Sequence, residues 1–194
     1  MKLSFKEFWS NYSYSSARIF IDQIAIAIFG VAVALGTASA APTIGEKTAT
    51  ILTVVSSVFA ILFFLFMVAE LCFRQGAEDR EKNENGSRTK NNFIGLYMGL
   101  LANVPNFVLI LGYTVFSYIP ATAGSASGFF GLATKLLMGE YLGLFSLKPA
   151  GAMLSSIPPM YFIAIIPCLL ASFLGYYLGV NGIITIKPTK KDFE

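Results

Sequence analysis

Apolar side chains dominate four stretches of the chain, residues 19–41, 49–72, 93–118 and 158–180, each fenced by charged or turn-forming residues. Roughly 20 apolar residues at about 1.5 Å rise cross a hydrocarbon core about 30 Å thick, so each stretch predicts a membrane-spanning helix. A fifth stretch, 128–146, is long enough to cross but carries Lys135 and Glu140 among many glycines. On a helical wheel Gly128, Gly131, Lys135, Gly139 and Gly143 fall in one stripe, so the face suited to close packing also bears a cation. Burying that lysine in lipid costs about 3 kcal/mol unless it is paired or snorkels. The expected fold is an all-α polytopic transmembrane helical bundle of four spans plus a fifth glycine-rich re-entrant or surface helix, with five spans as the alternative.

Small residues recur at four-residue spacing inside these stretches: Gly30 and Ala34, Ala32 and Gly36, Gly95 and Gly99, Gly139 and Gly143, Gly175 and Gly179. Such pairs let a second helix approach closely, which makes the three glycine pairs, Gly95 with Gly99, Gly139 with Gly143 and Gly175 with Gly179, the candidate helix-packing positions. The third stretch also holds Asn103, Pro105 and Asn106 near mid-membrane. Pro105 lacks a backbone donor and frees a carbonyl near Leu101, which in lipid must find a partner inside the protein. Asn103 and Asn106, three residues apart, share a face and can satisfy the break, hold a neighbouring helix or line a polar cavity. Pro105 and Pro167 interrupt two spans at comparable depth, as in broken transporter helices.

Charge fixes the expected orientation. Five of the fourteen basic residues (Arg74, Arg80, Lys82, Arg88 and Lys90) lie in the connection 74–91, which the positive-inside rule places in the cytoplasm. With four spans, Lys2, Lys6, Arg18 and the tail lysines Lys187, Lys190 and Lys191 join them, leaving Lys47, Lys135 and Lys148 in the extracellular segments, the latter two within 119–157. The N-terminus and the tail 181–194 are then cytoplasmic, in a multi-pass protein of the cell membrane. Residues 1–18 mix aromatics with Lys2, Lys6 and Arg18, which suits a short interfacial helix ahead of the transmembrane domain 19–180. Asp22 and Gln23 are expected at the edge of the first span, and Glu70 on one helical face with Arg74, as ordinary boundary residues. Ala38, Ser39 and Ala40 match a signal-peptidase pattern, but the long aromatic stretch before them and Asp22 argue against cleavage.

Composition narrows the chemistry. At 55% hydrophobic and 13% charged over 194 residues, the chain is too apolar for an ordinary soluble domain. Its net charge of +3 comes from residues beside apolar runs, so it signals topology and lipid contact rather than nucleic acid. Cys72 and Cys168 lack metal-ligand spacing, and histidine is absent, removing the commonest general base and metal ligand. The sequence G-S-A-S-G at 124–128 puts Ala126 where a nucleophile elbow needs Ser. A pairing of Ser125 or Ser127 with Lys135 is the remaining catalytic possibility, and no P-loop or dinucleotide fingerprint is present. No enzymatic activity, metal or cofactor is expected.

Two functional classes remain: a transport-related membrane subunit or small-solute-binding bundle, and a non-enzymatic interaction protein such as an immunity factor or envelope-complex scaffold. The first predicts that Asn103, Asn106, Lys135 and Glu140 converge on a shared cavity in the outer half of the bundle. Either class expects contact with membrane lipids and self-association or a membrane protein partner, because four spans alone bury modest surface.

Overall fold

The computed structural model describes residues 5–86, 90–119, 124–148 and 153–183. All regular elements among them are helical: α1 (Phe5–Ile44), α2 (Glu46–Glu84), α3 (Ile94–Ala102), α4 (Val104–Tyr118), α5 (Ala126–Leu137), α6 (Leu142–Phe145) and α7 (Met160–Val180), with single 3-10 turns at Gly139–Tyr141 and Leu154–Ser156. Helices α1, α2 and α7 are long and apolar enough to cross a membrane, and α3 with α4, bent by 52° at Asn103, makes a fourth if the pair is one span. Lys2, Arg88 and the tail lysines lie outside the described residues, so their expected placement gains nothing from the fold.

Helices α1 and α2 form an antiparallel hairpin of 40 and 39 residues, each about 60 Å long. Gly45 alone separates them, at φ +85°, a left-handed backbone that a β-carbon would strain. Their register is set by the Thr37 and Thr53 hydroxyls, 2.6 Å apart near the turn, and by Ser15 Oγ donating to Gln75 Oε1 at 2.9 Å near the far end. Two sequence boundaries move. Residues 5–18 are the first turns of α1, with no break before the apolar run, and the charged stretch from Arg74 stays helical to Glu84. Charge does not end a helix: Glu, Lys and Arg are good helix formers, and Glu70 with Arg74 and Arg80 with Glu84 pair at i,i+4.

Helix α7 lies parallel to α2 in backbone contact, with Gly175 against the Ala69 carbonyl, Gly179 against that of Phe73, and Gly76 against that of Tyr176. Helix α3 runs antiparallel to α7, its Gly95 and Gly99 seated on Ser172. The core falls into two clusters. One, toward the 85–93 connection, gathers Tyr12, Ile19, Phe64, Val68, Met98 and Tyr176; the other, toward the Gly45 turn, gathers Ile110, Met138, Tyr141, Phe145, Tyr161 and Ile165. Outside them Ile28, Phe63, Phe66, Leu111, Ile163 and Leu170 are exposed, an outward apolar surface that a bilayer would solvate.

The 128–146 stretch is not one helix, so its expected glycine stripe does not form. Helix α5 runs beside α4, with Ser127 Oγ 2.8 Å from Ser117 Oγ and Gly131 under the Tyr113 ring. The chain breaks at Met138, turns over Gly139–Tyr141 and returns along α2, where the Gly143 amide donates to Ser57 Oγ at 2.8 Å. Gly139 faces the Ala27 carbonyl of α1 and Gly143 the Thr53 carbonyl of α2, so the two glycines serve different neighbours, while Gly128 has open space. Backbone-to-backbone seating on two helices needs a turn between them, and this outweighs the continuity that the wheel assumed.

Candidate functional site

The turn Gly139–Tyr141 inserts Glu140 into the bundle, where it is fully buried. Its backbone can come so near because Gly30 meets the Gly139 carbonyl and Gly139 the Ala27 carbonyl without side chains, and a β-carbon on either would overlap the opposing backbone. Gln23, on the same face of α1 as Ile19, Ala27 and Gly30, donates through Nε2 to Glu140 Oε1 at 3.2 Å. The other end of that amide, Gln23 Oε1, accepts from Asn106 Nδ2 at 2.8 Å. Asn106 Nδ2 also donates to Asn103 Oδ1 at 2.8 Å. Asn103 Nδ2 in turn donates to the Gly99 carbonyl at 2.9 Å and reaches Cys168 Sγ at 3.4 Å.

The result is a buried polar relay, Asn103 to Asn106 to Gln23 to Glu140, that joins α3, α4 and α1 to the hairpin formed by α5 and α6. Bending at Asn103 is what aims both asparagines inward: the break beside Pro105 turns α4 by 52°, and the Asn103 side chain covers a carbonyl of the preceding turn. Two acceptors of the relay, Glu140 Oε2 and Asn106 Oδ1, have no hydrogen-bond donor among the described residues. Buried hydroxyls of Thr134, Tyr141 and Tyr161 also lack partners there. An oxygen acceptor without a donor in a dry interior costs about 1–3 kcal/mol, and more when it belongs to a carboxylate, unless a proton, cation or solute donor meets it.

Of the sequence candidates, Asn103, Asn106 and Glu140 meet in this relay, whereas Lys135 sits half-buried on α5 and forms no ion pair with Glu140. Gln23 joins the site although the sequence places it at a span boundary. Its signal was available: it stands four residues before Ala27 and seven before Gly30, on the face where side chains are smallest. The pairs Gly95 with Gly99, Gly139 with Gly143, and Gly175 with Gly179 all lie in close contact with other elements. No group of three or more His, Cys, Asp or Glu residues able to hold a metal ion occurs among the described residues.

A second buried carboxylate marks the other end of the bundle. Asp79 Oδ2 accepts from Tyr12 OH at 2.6 Å and Tyr176 OH at 2.9 Å, tying α1, α2 and α7 together, with Lys82 Nζ 3.9 Å from the other oxygen. This is a closed, charge-assisted cluster, in contrast to the open valences around Glu140. Comparison with protein-family models, with curated proteins and with solved structures returns no match to the chain.

Proposed function

We propose that the chain is a transport-related membrane component that binds a small alkali or ammonium-type cation at Glu140 and Asn106. The observation that carries this reading is the fully buried Glu140 carboxyl, held through one oxygen by a neutral amide while the other has no donor among the described residues. An ionisable group kept inside a membrane bundle at such cost calls for a functional partner. The unmet valences are acceptors, so the complementary ligand carries a positive charge or donors.

In this reading α3 and α4 form one broken span, α1, α2 and α7 the other three, and the α5–α6 hairpin a re-entrant loop that carries Glu140 in from the side of the Gly45 turn. The 74–91 connection faces the cytoplasm on the positive-inside rule, with both termini on that side. A further membrane subunit or a second copy would complete the assembly around the exposed helix faces.

The test is thermal unfolding in mild detergent with sodium, potassium, ammonium or methylammonium chloride against choline chloride at equal ionic strength. At least one of the four salts is expected to raise Tm, and Glu140→Gln to remove the rise. No salt-specific rise, or a rise that survives Glu140→Gln, sinks the proposal.

A second reading, an interaction protein without a ligand, is favoured by the asparagines being bonded to one another and to Gln23 rather than to open space. Cysteines replacing Asn103 and Asn106, in a background lacking Cys72 and Cys168, separate the two. Labelling by a water-borne impermeant thiol reagent supports the solute site, and complete protection supports adhesion.

A further inference from the structure

Arg18 and Asp22 of α1 and Glu70 and Arg74 of α2 line a groove of about 140 Å³ on the flank of the hairpin, with Met67 and Leu71 completing its wall. The groove faces away from the relay: Asp22 is turned outward although its neighbour Gln23 is buried. About 10–15 Å³ of such space admits one water, so this one admits a polar group of several heavy atoms. Each arginine stands four residues from its acid, and the antiparallel register gives the two couples a common order, with Arg18 and Arg74 nearer the 85–93 connection and Asp22 and Glu70 one turn further in.

The depth is set by α7. Gly175 lies against Ala69 and Gly179 against Phe73, so Arg74 is level with the end of α7 at Val180. The groove therefore opens where the apolar belt stops, at the boundary between acyl chains and headgroups. Arg74 is bonded to Glu70 and remains largely exposed, and a guanidinium carries five donors, so one carboxylate contact leaves most of them free. One guanidinium braced by a carboxylate beneath it, Arg74 on Glu70, and a second, Arg18, lining the same groove match the bidentate geometry of a phosphate, while Met67 and Leu71 offer apolar contact just inside.

We propose that this groove binds the phosphodiester of a membrane phospholipid in the leaflet nearest the 74–91 connection, with Arg18 and Arg74 as phosphate ligands and Glu70 as the residue that holds Arg74. The inference rests on membrane embedding and is independent of the solute site at Glu140.

The experiment is native mass spectrometry of the full chain in mild detergent after incubation with phosphatidylglycerol, phosphatidylcholine, diacylglycerol or inorganic phosphate. Both phospholipids are expected to give a retained one-to-one adduct, with diacylglycerol giving at least tenfold less. Arg18→Gln with Arg74→Gln should lower phospholipid retention at least tenfold. Arg18→Lys with Arg74→Lys, which keeps the charge and any stability that depends on it, should lower retention severalfold, and Lys47→Gln at the opposite end should leave it unchanged. Equal retention of diacylglycerol, or retention indifferent to both arginine double variants, overturns the site. Inorganic phosphate that displaces the lipid at millimolar concentration overturns the lipid assignment in favour of a free-anion site.

Discussion

Tyr176 OH donates to the same Asp79 oxygen as Tyr12 OH, at 2.9 and 2.6 Å, so one carboxylate on α2 fastens both the first and the last helix of the described bundle. Each bond is charge-assisted and buried, which places it at the strong end of the range for side-chain hydrogen bonds. Tyr176→Phe is expected to lower stability by about 1–3 kcal/mol, and Asp79→Asn by at least as much because it weakens both bonds. Thermal or denaturant unfolding in detergent measures this. Equal stability of Tyr176→Phe and the wild-type chain would remove the fastening role.

Gly139→Ala is expected to be strongly destabilising. The new carbon would overlap the Ala27 carbonyl, a backbone atom of a 40-residue helix that cannot step aside locally. Overpacking of this kind costs about 1–3 kcal/mol or more. Gly36→Ala supplies the control, since nothing lies within 4 Å of its added carbon, and should gain about 0.5–1 kcal/mol from helix propensity. Unfolding midpoints of the two variants should therefore move in opposite directions.

Gln23 holds two links of the relay at once, donating to Glu140 and accepting from Asn106. Gln23→Leu removes the one side-chain donor of Glu140 and one of the two acceptors of Asn106 Nδ2, and is expected to destabilise by about 2–4 kcal/mol. A cycle with Glu140→Gln should show coupling of about 1 kcal/mol or more, as expected within one hydrogen-bonded network. Additive effects would mean that the two residues do not communicate.

Glu70→Gln should change stability by less than about 0.5 kcal/mol, because its pair with Arg74 is solvent-facing and local to one helix. The same substitution should lower phospholipid retention, since Arg74 loses its brace. Measuring unfolding and lipid retention on one preparation separates the two roles.

The membrane character was legible because apolar runs of spanning length are seldom stable anywhere but in a bilayer, and α1, α2 and α7 each follow one of those runs, α1 beginning well before its run and α2 ending well after. The break at Asn103 was equally visible, as Pro105 announces a lost backbone donor. What escaped was long-range. Nothing near Gln23 in the chain marks Glu140 as its partner, because the contact depends on two glycines of separate elements, Gly30 seated on the Gly139 carbonyl and Gly139 on that of Ala27. The split of 128–146 was hidden for the same reason: a helical wheel knows the period of the backbone but not which neighbour each glycine meets. Charged residues beyond Arg74 suggested a loop, although their i,i+4 spacing is compatible with the helix that continues there.

The polar partners inside this bundle are made far apart in time. Tyr176 follows Asp79 by 97 positions, and Glu140 follows Gln23 by 117. At roughly 5–20 residues per second of synthesis, these intervals last on the order of 5–25 s. During that time the newborn hairpin of α1 and α2 stands with a carboxylate and an amide awaiting elements the ribosome has not yet produced. These two contacts therefore close only after the Glu140 turn and α7 have been made, late in synthesis.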